Sequence, residues 1–203
     1  MNANDLKRLA PARWAAASSK LASAGLGNAA ARGGLLDVAL ATVGSPVGDL
    51  LIAVTPRGLA RVAFDLEPRD EVLDELSDRL SPRILESAAA TEGWRRELEE
   101  YFDRERTRFD LRVDRRLLSP FAREVMDETA RVPFGHTTTY GAVAERIGHP
   151  RAARAVGTAL GSNPIPVVLP CHRVLRAGGS LGGYAGGLDR KTILLSIEGA
   201  LSR

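Results

Sequence analysis

The sequence predicts an α/β chain in two parts, a small antiparallel sheet with helices at 35–114 and a mostly helical part at 115–203. Two observations carry this reading. Short β-type runs at 35–43, 49–54 and 59–64 are separated by the turn signals "GSPVG" and "TPRG". After Arg116 the texture changes to short helical segments punctuated by Gly and Pro. A chain of 203 residues, 44% of them hydrophobic, is one large domain or two small ones with a real core.

Residues 1–34, rich in Ala, Ser, Gly and Arg, read as a loosely ordered extension; a weak helical pattern (Leu6, Leu9, Trp14) lacks the apolar core of a secretory signal. The three β-type runs form a meander. Two amphipathic helices follow. One lies near 69–80, with Val72, Leu73, Leu76 and Leu80 on one side. The other lies near 92–103, with Trp94, Leu98, Tyr101 and Phe102 at helical spacing, read as core. The run "DRERTR" reads as a solvated loop, and "RFDLRV" as a short strand closing this part.

In the second part, "SPFAREVMDETARV" is a helix with Ser119 as N-cap and Pro120 at its first position. Thr138 or Thr139 caps the next helix, whose inner stripe is Ala142, Val143 and Ile147 and which ends at Gly148. Arg151 to Leu160 form a further helix, stopped by Gly161. Helix, tight turn, helix is the outline of a helix-turn-helix, shared by many pairs that merely pack. The second helix sets Arg151 and Arg154 among Ala152, Ala153 and Gly157, where a solvated face would carry Glu and Lys. Small residues allow close approach, to another helix or to a minor groove only about 6 Å wide.

Charge and cysteine usage narrow the function classes. Net charge is +3, but 65–110 carries 15 acidic and 8 basic residues, whereas 131–191 carries 8 basic and 2 acidic. That asymmetry suggests a polyanion partner for the second part, or simply an uneven surface. The single cysteine excludes an internal disulfide and leaves too few thiols for structural zinc. No run approaches the roughly 18 apolar residues of a membrane helix.

That cysteine, Cys171, stands between Pro170 and His172 in "PIPVVLPCHRV". It is either a small apolar filler or a nucleophile. On an extended strand the side chains of Cys171 and His172 would face opposite ways and could not bond. Beyond it, 178–187 holds six glycines around Tyr184. The pattern fits no nucleotide-binding loop. It is a flexible surface loop or a backbone wrapped around a flat ligand.

Together these residues form a resemblance. From Pro133 to Gly199 the chain resembles the C-terminal domain of O6-alkylguanine-DNA alkyltransferases, the methylated-DNA–protein-cysteine methyltransferases. The matching motifs are "PFGHTTTYGAVA", "AARAVGTALGSNPIPVVLPCHRV", "GGYAGGLDRK" and "LLSIEG", in that family's order and spacing. The meander at 36–64 resembles its N-terminal domain more loosely. The resemblance implies a ribonuclease-H-like first domain and a winged-helix-like DNA-binding second domain. It implies that Cys171 accepts the alkyl group once, with His172 as base through a water and Glu198 orienting His172. Asn163 would support the active-site turn, and Tyr140 would reach the flipped base and its phosphate. Arg154 would fill the gap in the duplex, while Val174 and Tyr184 would wall the pocket. Ala185, where that family has Ser or Ala, bears on tolerance of bulky adducts.

The implied partner is double-stranded DNA carrying O6-alkylguanine, with O4-alkylthymine as a second lesion. A cytoplasmic monomer without cofactor, metal or membrane attachment is expected. The chemistry suits these residues, since displacement at an alkyl carbon needs a thiolate, and an ordinary thiol is only a few per cent ionised at neutral pH. Three competitors are a non-reactive lesion binder, a helix-turn-helix regulator with a sensing cysteine, and a Cys–His–Asn hydrolase. Cys171 argues against the first. The small-residue helix argues against the second. Nothing supplies the third with a second substrate-binding lobe.

Overall fold

The computed structural model describes residues 36–201, so the expectation for 1–34 lies outside the described residues. Strands β1 (Val38–Val43), β2 (Leu50–Thr55) and β3 (Gly58–Phe64) form the expected antiparallel meander. The first turn is tied by Ser45, whose hydroxyl donates to Gly48 O at 2.6 Å and accepts Val47 N at 3.2 Å. Helix α1 (Arg69–Arg79) opens on Asp70 and Glu71 and ends on Arg79, charges that suit the helix dipole. Strand β4 (Ile84–Glu86) then pairs parallel to β1, giving the sheet order β3-β2-β1-β4. At three residues, β4 is too short to show a period in the sequence.

Helix α2 (Ala88–Phe102) starts four residues earlier than expected, because the Ser87 hydroxyl caps it by accepting Ala90 N. The segment "RFDLRV" is not a strand. It makes one bridge, Leu59 to Val113, through Leu59 N to Arg112 O and Asp114 N to Leu59 O. Its alternation arises instead from Phe109 packing on Trp94 and Tyr101 while Arg106 draws Asp110 into an ion-pair cluster.

The second part holds α3 (Pro120–Thr129), capped by Ser119, and α4 (Tyr140–Arg146), capped by Thr139. Helix α5 spans Ala153–Gly161, starting two residues later than expected. Arg151 and Ala152 lie in the preceding turn, where Ala152 N donates to His149 O and no side chain caps the helix. A 3-10 turn (Cys171–Arg173), strand β6 (Val174–Leu175) and α6 (Leu188–Ile197) complete it, with β6 parallel to β5 (Thr138–Thr139).

One sheet face packs on α1 through Val38, Leu40, Ala53, Ala63, Val72 and Leu76. The other face belongs to a larger cluster that runs without a break from Leu50, Ile52 and Leu98 to Val125, Val156, Ile165, Cys171 and Leu194. The parts therefore share a core. Polar ties cross it too: Val62 N donates to Pro164 O at 2.8 Å, and Arg190 Nε to Val47 O at 2.7 Å.

Candidate active site

The turn that carries Cys171 is built by Asn163. Its amide Nδ2 donates to Leu169 O at 2.8 Å and to Cys171 Sγ at 3.1 Å, and its Oδ1 accepts Ile165 N at 3.0 Å. This clamp holds Val167 at φ 73, a strained conformation for a β-branched residue. Such strain costs on the order of 1–3 kcal/mol and persists only where the surroundings over-determine it. Cys171 and His172 sit on a 3-10 turn and not on an extended strand, so the opposite-faces argument does not apply to them.

His172 is fully buried, and Glu198, which caps the end of α6, is 5% exposed. His172 Nε2 lies 2.8 Å from Glu198 Oε1. The other nitrogen, Nδ1, is buried with no hydrogen-bond partner among the described residues. Burial draws the His172 imidazole below its ordinary value although Glu198 pulls the other way, so it is neutral near pH 7. Burial would raise the Glu198 carboxyl, but the bonds from His172 and Arg173 overcome it and bring the group to about 2. Burial also pushes the Cys171 thiol up, opposed by the Asn163 bond and the Lys191 charge. A thiol held neutral beside a neutral imidazole needs proton removal at the moment of attack.

Three contributors were not found by sequence reasoning. Arg173 grips Glu198 with Nε to Oε2 at 2.9 Å and Nη2 to Oε1 at 2.8 Å, and donates to Val132 O at 2.6 Å. Its position inside "PCHRV" was the available signal. Lys191 is fully buried, its ammonium donating to Val174 O at 2.6 Å and to Leu181 O, and burial draws it down to about 8. Tyr101, from α2, donates to Glu198 Oε1 at 2.7 Å. Helical spacing marked it only as core.

Cys171 opens onto a cavity of about 710 Å³ lined by Tyr140, Ala153, Arg154, Gly157, Arg176, Tyr184 and Ala185, among others. That volume falls within the range of small-molecule sites and accommodates a single base. Tyr140 donates to Gly183 O at 3.4 Å, and burial, then the nearby thiol, raises its phenol, which stays protonated near neutrality. Tyr184 packs edge-on against Phe64 of β3 at 5.9 Å. Glycine is required twice in this loop. A Cβ on Gly182 would lie 2.8 Å from the Tyr140 hydroxyl, and one on Gly186 2.7 Å from the Phe64 ring. The loop is thus a backbone fitted closely against Tyr140, which lines the cavity, and Phe64 of β3. Arg154 is exposed on the rim.

Not every expected site residue lines this cavity. Ala152 and the exposed Arg151 precede α5, outside the lining. Val174 is fully buried, with its carbonyl occupied by Lys191. Among the described residues no group of three or more His, Cys, Asp or Glu could hold a metal ion.

Two family profiles match. The 6-O-methylguanine DNA methyltransferase DNA binding domain matches residues 120–200, and the ribonuclease-like domain of the same family matches 38–115. A methylated-DNA–protein-cysteine methyltransferase of Mycolicibacterium paratuberculosis is 43% identical over 157 residues, covering 77% of this chain and 90% of the relative. One of Methanosarcina acetivorans is 39% identical over 161 residues, covering 77% and 95%. Among solved structures, Mycobacterium tuberculosis OGT in complex with DNA superposes with a TM-score of 0.67 at 36% identity, over 78% of this chain and 91% of that one.

Proposed function

The chain belongs to the 6-O-methylguanine DNA methyltransferase family, and from that premise we propose that Cys171 takes the alkyl group from an O6-alkylguanine extruded from duplex DNA. The protein is a DNA-repair methyltransferase whose reaction moves an alkyl group onto a cysteine, and it has one cysteine. The observation that carries the proposal is that thiol, seated at the back of a base-sized cavity with a His–Glu pair behind it.

In this reading Sγ attacks the alkyl carbon as the carbon–O6 bond breaks. The bonding pair leaves with the guanine. The thiol proton passes through a water to His172 Nδ1, and Glu198 balances the charge that forms. The Tyr140 hydroxyl donates towards a ring nitrogen of the leaving base, where negative charge develops. Asn163 holds the turn and donates to sulfur. The thioether that forms at Cys171 is a stable product and not an intermediate, so each molecule acts once. A base inside the stack cannot reach a thiol that is 5% exposed, so extrusion is needed, at a few kcal/mol. Arg154 offsets part of that by filling the vacated stack, while Ala153 and Gly157 let α5 close on the minor groove, with Ala152 and Arg151 at its approach.

Val174, Tyr184 and Ala185 are assigned to the base pocket, Tyr184 and Ala185 as lining and Val174 from beneath. The part at 115–203 carries transfer and DNA binding, and the part at 35–114 supports it. The lesion is O6-alkylguanine, with O4-alkylthymine second, and the protein acts as a cytoplasmic monomer. Among the described residues no helix is long and apolar enough to cross a membrane.

Intact-mass measurement tests the proposal. Mixed with a duplex bearing O6-methylguanine, each protein molecule should gain one methyl group and then stop. Repeated turnover, or a methyl group on another residue, would count against it. Arg154 gives a separable test. Arg154→Ala should slow transfer from duplex DNA about tenfold or more, while transfer from free O6-benzylguanine, where accepted, should hardly change. Equal slowing with both would assign Arg154 to the pocket or fold.

A further inference from the structure

Among the described residues, the part at 35–114 reaches the His–Glu pair with a single hydroxyl. Tyr101, in the last turn of α2, is fully buried and donates to Glu198 Oε1 at 2.7 Å. The same oxygen faces His172 Nε2 at 2.8 Å and accepts Arg173 Nη2 at 2.8 Å. A carboxylate oxygen has about two lone-pair sites, so three donors compete for Oε1 and together set its direction. Phe102, Phe109 and Phe134 surround the Tyr101 ring, with centroids at 5.2, 5.3 and 5.9 Å. A phenylalanine would fill that space equally well. Packing explains the ring but not the hydroxyl.

We infer that Tyr101 is a positioning residue for alkyl transfer, its hydroxyl holding Glu198 Oε1 against His172 Nε2 so that Nδ1 faces the thiol as the base. The inference rests on the relay read above. Without the hydroxyl, Arg173, which already grips both carboxylate oxygens, can draw the group away from Nε2. The imidazole then loses the partner that fixes its tautomer and ring plane. The donor itself does not titrate in the useful range, because burial and then the Glu198 charge raise the phenol well above 10. Other groups that titrate or carry charge near the relay are Arg173 on its turn, Lys191 on α6, Tyr140 on α4 and Tyr184 in the glycine-rich loop. Each variant is therefore compared with the parent at every pH.

The test is single-turnover transfer by Tyr101→Phe, normalised to active protein, from neutrality to about pH 10. Transfer should be about tenfold slower near neutrality, the scale of a hydrogen bond to a charged group. The deficit should close as pH rises, because the thiolate then forms without a base, and DNA affinity should not change. In a Glu198→Gln background, Tyr101→Phe should add nothing further. Placing 4-aminophenylalanine, a weaker donor, at position 101 should give an intermediate rate. That variant also serves if Tyr101→Phe does not fold, since a rate equal to the parent's at every pH would overturn the inference. So would slowing by one constant factor at all pH values that adds to the Glu198→Gln effect, which marks packing alone. If Glu198→Gln itself transfers as fast as the parent, the relay falls and this inference with it. Slowing by Glu198→Gln with no effect of Tyr101→Phe removes only the inference.

Discussion

Replacing Cys171 with serine should leave a folded protein that binds alkylated duplex DNA yet acquires no methyl group. The effect should be complete because no second thiol exists to take over. A serine hydroxyl is not ionised at any usable pH, so the variant has no counterpart of the thiolate to attack the alkyl carbon. Oxygen is also a harder, less reactive nucleophile at an alkyl carbon than sulfur. The fold should tolerate the exchange. Asn163 Nδ2, which lies 3.1 Å from Sγ, can donate to the serine oxygen instead, so no polar group is left unpaired and the cost should be about 1 kcal/mol. Intact mass after incubation with O6-methylguanine duplex, with a melting curve and a DNA-binding isotherm on the same preparation, checks all three statements. A methyl adduct on the serine variant would place the acceptor elsewhere and remove the reading built on Cys171.

Much of this molecule was legible in the sequence, and the failures share a cause. The meander, the Ser119 and Thr139 caps and the apolar stripe of α2 are local features, encoded within a few residues of where they act. The strand β4 depends on pairing with β1, more than 40 residues earlier, and three residues carry no period of their own. The segment "RFDLRV" shows strand alternation, but among the described residues it bridges a strand only at Val113. The helix expected from Arg151 starts only at Ala153, and among the described residues no side chain caps it. At the site, motif resemblance and not periodicity points to Cys171, His172 and Glu198. Their conformation was not foreseen, since a 3-10 turn held by Asn163 leaves no local pattern. Buried Arg173, Lys191 and Tyr101 were missed because their meaning lies in partners distant in sequence: Glu198 is 97 residues from Tyr101.

The relay carries the other large expected effect. His172→Ala should slow transfer near neutral pH by about 10²–10⁴-fold, the usual contribution of a positioned general base. Glu198→Gln should slow it less, because the imidazole remains but loses its carboxylate. Neither should change DNA affinity, since His172 and Glu198 lie beneath the cavity, buried. The pH dependence separates proton removal from other roles. In the parent, the base is available above the depressed His172 value, so the rate should fall only as pH drops below the ordinary imidazole range. In His172→Ala the rate should follow the thiolate fraction, rising about tenfold per pH unit until the thiol ionises unaided. Burial raises that thiol above its ordinary 9.0, so recovery belongs above pH 9 and not near neutrality. Lys191, drawn down to about 8, loses its charge over the same interval and will flatten the rise.

Glu198 also holds the fold, and the sign of that role differs. Its carboxyl lies at about 2, below the ordinary 4.5, so its stabilisation is present above that ordinary value and fades as pH falls towards 2. Glu198→Gln leaves the Arg173 guanidinium buried without its counter-charge, and should cost about 3 kcal/mol at neutral pH, with the deficit shrinking in acid. Melting temperature and single-turnover rate, measured on the same sample, keep the two roles apart. If the melting temperature falls while the folded fraction transfers at the parent rate, Glu198 is a structural carboxylate, and Cys171 must then lose its proton to His172 without help from behind.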